Sequence, residues 1–170
     1  MSSISMHSAS VPIFVRMLSN MLVWLDKAEA HAAAKKFDAK NFLGERLTPD
    51  MLPFSAQIQI ATDSVKGCLS RLSGTEAPKW PDTEASFDEL RARIRKAIDY
   101  AQSVPAASID GSEKREITVP MGPGRTAKFT GEVFLKGFSL PNFFFHCTMA
   151  YALLRRGGVE LGKMDFLGGA

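Results

Sequence analysis

Apolar residues recur at every third or fourth position in three long segments, which is the pattern of an α-helix with one buried face. The first segment covers residues 8–36, the second ends at Gly74, and the third begins at Ser86 with a capping-box sequence. A fourth segment, opened by Pro141 and stopped at Gly157, is apolar on most of its sides. Four helices of this length predict a four-helix bundle, because each can bury its apolar face only against the others.

Prolines mark the breaks between these helices. The second helix is expected to begin at Thr48–Pro49 or, because Pro53 disturbs that first turn, at Pro53 itself. Residues 75–83 (TEAPKWPDT) are expected to form a loop in which Trp80 covers one end of the bundle.

Between the third and fourth helices the hydrophobic period changes from helical to alternating. The segments REITVP and TAKFTGEVF alternate β-branched and aromatic residues, and the turn sequence MGPGR separates them. A short β-hairpin is therefore predicted over residues 115–134, and the tail is expected to be a packed loop near Phe166–Leu167. The predicted fold class is mainly α: a four-helix bundle with a β-hairpin inserted between the third and fourth helices.

Composition bounds the partners and the compartment. A chain of 170 residues predicts a single domain over residues 1–170, and its net charge of +3 is too dispersed for binding nucleic acid. Cys68 and Cys147 lie in apolar helical patterns and are interpreted as free thiols in a reducing compartment. No apolar run reaches the roughly 18–20 residues needed to span a bilayer, and the N-terminus lacks a signal-peptide pattern. A soluble cytoplasmic protein without a membrane partner is expected.

The densest basic run is RARIRK, at residues 91–96. It is interpreted as a solvent-exposed face of the third helix, and a docking surface for an acidic partner is the alternative.

Polar side chains inside the apolar fourth helix define the candidate site. Asn142 and His146 are four residues apart and share a helix face, and each needs a partner, because an unpaired buried polar group costs about 1–3 kcal/mol. The second helix offers Gln59 and Asp63, also four apart, and Gln57 and Ser64 lie near a neighbouring face. If Asp63 faces inward, its carboxylate would pair with His146 and favour the imidazolium; otherwise it lies in solvent beside Lys66. The candidate pocket is therefore Asn142, His146, Asp63 and Gln59.

Several segments together resemble a bacterial domain-of-unknown-function family that is grouped with the DinB/YfiT-like superfamily of four-helix bundles. They are LPNFFFHCTMAYALLRRGGVELGK, RLTPDMLPFSAQIQIATDSVKG and RLSG, with PIFVRMLSNMLVWLDKA and GKMDFLG. Members of that superfamily often hold a divalent metal on three histidines, one from the second helix and two from an H-x-x-x-H pair on the last. The resemblance places that pair on Asn142 and His146 and the remaining ligand near Asp63, so one histidine of three is present.

The resemblance thus implies a metal set of His146, Asn142 and Asp63, with zinc, nickel or manganese as candidate ions. A carboxamide oxygen is a weak ligand for metals that prefer imidazole, so a metal-free hydrogen-bonded group of these three residues is favoured and no cofactor is expected. Two functions stay open. The first is a small-ligand-binding or interaction module with a degenerate metal site. The second is a metal-dependent enzyme of the thiol transferase or hydrolase type, with His146 as a ligand and no catalytic residue assigned. A homodimer is also expected, from the apolar last helix and the inserted hairpin.

Overall fold

In the computed structural model, which describes residues 4–169, helices dominate and one β-hairpin is present. The long helices are α1 (Val11–Lys35), α2 (Phe54–Ser73), α3 (Phe87–Ser103) and α6 (Leu140–Arg156). The shorter elements are a 3-10 helix (Ala39–Gly44), α4 (Ala106–Ile109), β1 (Glu116–Pro120), β2 (Thr126–Thr130), α5 (Gly131–Phe134), a π-helical turn (Leu135–Ser139) and α7 (Lys163–Leu167). The predicted fold class is confirmed.

The four long helices form a closed ring of neighbours. α1 packs on α3, α3 on α2, α2 on α6, and α6 returns to α1. The apolar stripes predicted from the sequence meet inside this ring, and Phe14 of α1 packs edge-to-face on Phe143 of α6 with ring centroids 4.9 Å apart. None of the helices within residues 4–169 is long and apolar enough to cross a membrane.

The helix ends follow their capping residues. α1 begins at Val11, three residues later than predicted, because Pro12 suits the first turn of a helix. α2 begins directly after Pro53 and ends at Gly74, whose φ of 74° is the left-handed conformation that glycine tolerates. Ser86 caps α3 by accepting a hydrogen bond from the Glu89 amide at 3.2 Å, as predicted.

The hairpin lies inside its predicted range but stops earlier. β1 and β2 pair antiparallel from Glu116 opposite Thr130 to Pro120 opposite Thr126, and the chain becomes helical at Gly131. A Cβ atom on Gly131 would lie 2.0 Å from the carbonyl oxygen of Ser112, so only glycine fits this close crossing. The prediction of strand over residues 131–134 is wrong, because the chain leaves the hairpin where Gly131 crosses Ser112 and continues as a helix.

The last helix therefore starts at Gly131 and not at Pro141. A proline inside a helix lacks the amide hydrogen and clashes with the carbonyl four residues earlier. The chain accommodates Pro141 with the π-helical turn Leu135–Ser139, in which the amide of Leu140 donates to the carbonyl of Leu135. α5, this turn and α6 thus follow one another without a break.

The C-terminal tail is packed, as expected, but it forms the short helix α7, which packs on α1, and not a loop. The indole Nε1 of Trp24 donates to the carbonyl of Asp165 at 2.9 Å, and Phe166 stacks on the same indole at 5.5 Å between centroids. Lys27 also pairs with the Asp165 carboxylate at 2.6 Å.

Candidate functional site

Two hydrogen bonds join α2 to α6 along the face that carries the candidate residues. The amide nitrogen of Asn142 donates to the hydroxyl of Ser64 at 2.8 Å. The Nδ1 atom of His146 lies 2.8 Å from the side-chain oxygen Oε1 of Gln57, and the side-chain nitrogen Nε2 of Gln57 donates to the backbone carbonyl of Leu52 at 3.0 Å. We call Asn142, Ser64, His146 and Gln57 the α2–α6 seam.

The imidazole of His146 is held neutral in the seam. Because the Gln57 oxygen accepts, the proton of the neutral ring lies on Nδ1 and leaves Nε2 as the acceptor. The residue is only 9% exposed, and this burial lowers its pKa. The expectation that a carboxylate beside His146 would favour the imidazolium is therefore wrong, since its partner is a neutral amide.

Asp63 and Gln59 of α2 bond to α3 and to the loop before it. The carboxylate of Asp63 is 2.9 Å from Arg93 and 2.8 Å from Lys66, and the amide nitrogen of Gln59 donates to Glu84 at 2.8 Å. The predicted pocket is thus divided: Asn142 and His146 of α6 bond to the α6-facing side of α2, whereas Asp63 and Gln59 bond toward α3, although Asp63 still lines a small cleft with Asn142. The predicted hydrogen-bonded group of Asn142, His146 and Asp63 does not form, whereas the alternative of Asp63 beside Lys66 is found.

Helical geometry explains the division. An α-helix turns by about 100° per residue. Gln57 and Ser64 are seven residues apart and point the same way, toward α6. Asp63 precedes Ser64 by one residue and Gln59 follows Gln57 by two, so each is rotated around α2 by about 100° or more from its neighbour in the seam.

The seam does not fit the three-ligand metal set that the resemblance implies. Within residues 4–169, no three or more His, Cys, Asp or Glu side chains lie close enough together to hold a metal ion. Ile60 and Ala61 lie three and four residues after Gln57, on the same face of α2, and neither side chain carries an atom that could bind a metal. The cleft beside Asn142 has a volume of about 60 Å³, room for about two water molecules and not for a metabolite.

The two cysteines offer no reactive thiolate. Both are buried and free, as predicted. Burial raises the pKa of Cys68 to about 12 and raises that of Cys147 as well. At neutral pH both thiols are therefore protonated and serve as small apolar side chains.

A second polar cluster, which the sequence did not reveal, lies between α2 and α3. Arg93 is only 4% exposed and contacts the carboxylates of Asp63, Asp82 and Glu84 at 2.8–2.9 Å. Burial by itself lowers the pKa of Arg93, but the hydrogen bond to Glu84 and the surrounding carboxylates outweigh it and raise the pKa above its usual value. We call Arg93 and these three carboxylates the α2–α3 ion cluster.

The interpretation of RARIRK as a solvent-exposed face is wrong for two of its arginines. Arg91 is buried against α1, where it pairs with Asp26 and Glu29, and Arg93 forms the ion cluster. Neither is free to dock an acidic partner. The sequence does contain acidic residues on α1, on α2 and in the loop that could pair with these arginines. Only the fold shows that they meet.

An open cleft of about 300 Å³ adjoins the ion cluster. Its lining residues come from the loop and α3: Trp80, Pro81, Thr83, Glu84, Glu89, Ala92, Arg93 and Lys96. We call it the Trp80 cleft. The Trp80 ring covers the groove between α2 and α3 instead of one end of the bundle, with Lys66 of α2 at 4.8 Å and Lys96 of α3 at 5.2 Å from its centroid.

The ring of four helices with an inserted hairpin defines a DinB-like helical bundle. The crystal structure of a DinB family member protein from Shewanella denitrificans superposes on this chain with a TM-score of 0.90 and 37% sequence identity, over 96% of this chain and 92% of that one. Residues 6–167 match the family model "Domain of unknown function (DUF1993)". This chain belongs to the DUF1993 family, and the resemblance identified from its sequence is confirmed. Among proteins of curated function, none matches significantly.

Proposed function

We propose that this protein is a DinB-like small-ligand-binding or interaction module that works without a bound metal. One observation carries the proposal. Asn142 and His146, at the two α6 positions where the resemblance implies metal ligands, each bond to a neutral group of α2 at 2.8 Å. These bonds hold both side chains against α2, and within residues 4–169 no group of three His, Cys, Asp or Glu side chains is arranged to hold an ion.

The donor chemistry supports the same conclusion. Nε2 of His146 is the one imidazole nitrogen that the seam leaves without a partner among the described residues. Zinc and similar ions take three or four strong ligands in proteins, so one imidazole with a carboxamide and a hydroxyl is a poor substitute. The seam acts as a neutral polar contact that fixes the register of α2 against α6.

Metal content is the direct test. Protein purified without chelator or affinity tag is analysed by mass spectrometry, and its thermal unfolding is followed with added zinc, nickel or manganese. We expect metal far below one ion per chain and no rise in Tm, because an ion that bound the folded state would stabilise it.

The matched variants are His146→Ala in the seam and His31→Ala on α1, which removes an imidazole remote from the seam. Stoichiometric metal that is lost in His146→Ala but kept in His31→Ala would overturn the proposal and favour a metal-dependent enzyme. Metal lost equally in both variants would indicate nonspecific binding and leave the proposal standing.

A further inference from the structure

The loop that forms the Trp80 cleft has no regular secondary structure, yet side chains hold it in place. Arg93 donates to the carbonyl of Pro81 at 3.0 Å and to the Glu84 carboxylate at 2.9 Å. Gln59 of α2 donates to the other oxygen of Glu84 at 2.8 Å. Because these bonds exist before any ligand arrives, the cleft does not have to be ordered on binding.

Trp80 is an aromatic wall with a fixed position. Tyr100 of α3 packs its edge against the indole at 6.1 Å between centroids, and the ammonium groups of Lys66 and Lys96 lie within about 5 Å of the ring centroid. The residue is half-buried, and the part that lines the cleft stays open. A planar ligand ring can therefore pack against the open part of the indole, beside the two ammonium groups.

Most of the charge around the cleft is already engaged. The guanidinium nitrogens of Arg93 donate to the hydroxyl of Thr62 and the carbonyl of Pro81 and pair with the carboxylates of the ion cluster. Both carboxylate oxygens of Glu84 accept hydrogen bonds. Glu89 accepts from the amide of Ala85 at the start of α3.

The ammonium of Lys96 differs from its neighbours in the cleft. Lys66 is paired with Asp63, whereas Lys96 makes no ion pair or hydrogen bond within residues 4–169, and its ammonium lies 5.2 Å from the centroid of the Trp80 ring. The cation left for a ligand is therefore a single ammonium beside an aromatic wall.

We infer that the Trp80 cleft binds a small planar aromatic monocarboxylate, with its ring stacked on Trp80 and its carboxylate paired with Lys96. One available cation matches one negative charge, whereas a phosphate dianion would require further donors. The volume of about 300 Å³ is at the lower end of small-molecule pockets and suits a ligand of one or two rings. This inference rests on the proposed function and names its ligand class.

Titration calorimetry with 2-naphthoate tests the inference on the full chain. We expect saturable binding by the wild-type protein that weakens about tenfold in Lys96→Gln, because a charge-assisted hydrogen bond is lost. Trp80→Leu should weaken it comparably through the lost stacking. Lys79→Gln, which removes the same charge from an exposed neighbour in the loop, should leave binding unchanged.

Two further probes separate the parts of the recognition. Neutral 2-naphthalenemethanol lacks the carboxylate and cyclohexanecarboxylate lacks the aromatic ring, so both should bind about tenfold more weakly than 2-naphthoate. Lys96→Gln changes an exposed side chain, so misfolding does not confuse its result.

The inference is overturned if wild-type protein shows no saturable binding of 2-naphthoate, or if Lys96→Gln binds it as well as wild type. Either result with metal-free protein leaves the proposed function intact. Stoichiometric metal at His146 would instead remove the proposed function, whatever the Trp80 cleft binds.

Discussion

Helix α2 carries polar side chains on two faces. The buried polar groups of one face are stabilised by neutral hydrogen bonds, and those of the other face by ion pairs. On the α6 side, the α2–α6 seam pairs neutral groups one to one: an amide with a hydroxyl and an imidazole with an amide. On the α3 side, the α2–α3 ion cluster surrounds one guanidinium with three carboxylates. Neutral pairs can be exchanged for apolar ones at little cost, whereas a buried charge cannot lose its partners cheaply.

The comparison also reverses the roles expected of the two faces. The seam contains Asn142 and His146, the two α6 positions where the resemblance implies metal ligands, and both residues bond to α2 instead. The ion cluster includes an arginine that was expected in solvent, and it holds the loop that forms the Trp80 cleft.

The largest effect is expected from breaking the ion cluster. Arg93→Ala leaves the carboxylate of Glu84, which is largely buried, without its cation and frees the loop at Pro81. We expect the free energy of unfolding in urea to fall by about 3 kcal/mol. Arg95→Ala, at an exposed position of the same helix, should cost less than about 0.5 kcal/mol. Equal costs for the two variants would mean that the cluster does not stabilise the fold.

A smaller effect is expected from the seam, where a double-mutant cycle gives the sharper test. Gln57→Leu leaves Nδ1 of His146 buried without an acceptor, and we expect a loss of about 1–2 kcal/mol. The double variant Gln57→Leu with His146→Leu removes both partners and should recover most of that loss. If the double variant is as unstable as the sum of the single ones, the two side chains are not coupled and the comparison with the ion cluster fails.

The smallest effect on stability is expected from protonation of His146. Its pKa is lowered by burial, so the unfolded chain binds this proton more readily than the folded protein does. The contribution of His146 is therefore complete above the unfolded pKa of about 6.5 and is lost as the pH falls through the lower folded value. An NMR titration of the imidazole protons should give a pKa below about 6.5 for His146. A value above it would point to a carboxylate partner and contradict the neutral seam.

Much of the fold could be predicted because its signals are local. The stripe that includes Ile58, Val65 and Leu72 predicts a buried helix face, and all three residues are fully or almost fully buried. The hairpin was also predictable, since MGPGR and the flanking alternation act over a few residues. The start of the last helix was not, because Gly131 is required by its crossing with Ser112, a contact between segments 19 residues apart in sequence.

The candidate site was predicted only in part, for a similar reason. The pattern identified Asn142 and His146 as buried polar residues that need partners, and both have them. It could not tell that Gln57 and Ser64 would be those partners, or that Asp63 would turn to Arg93.

By itself, the sequence determined which residues form helices and which helix faces are apolar, because both follow from a period of 3.6 residues along one segment. The tertiary structure alone decided which polar groups meet. It paired His146 with Gln57, placed Arg93 beside the carboxylate of Asp63, and placed the ammonium of Lys96 over the Trp80 ring. Such pairings depend on how helices distant in sequence are arranged around one another, and a helical period does not specify that arrangement.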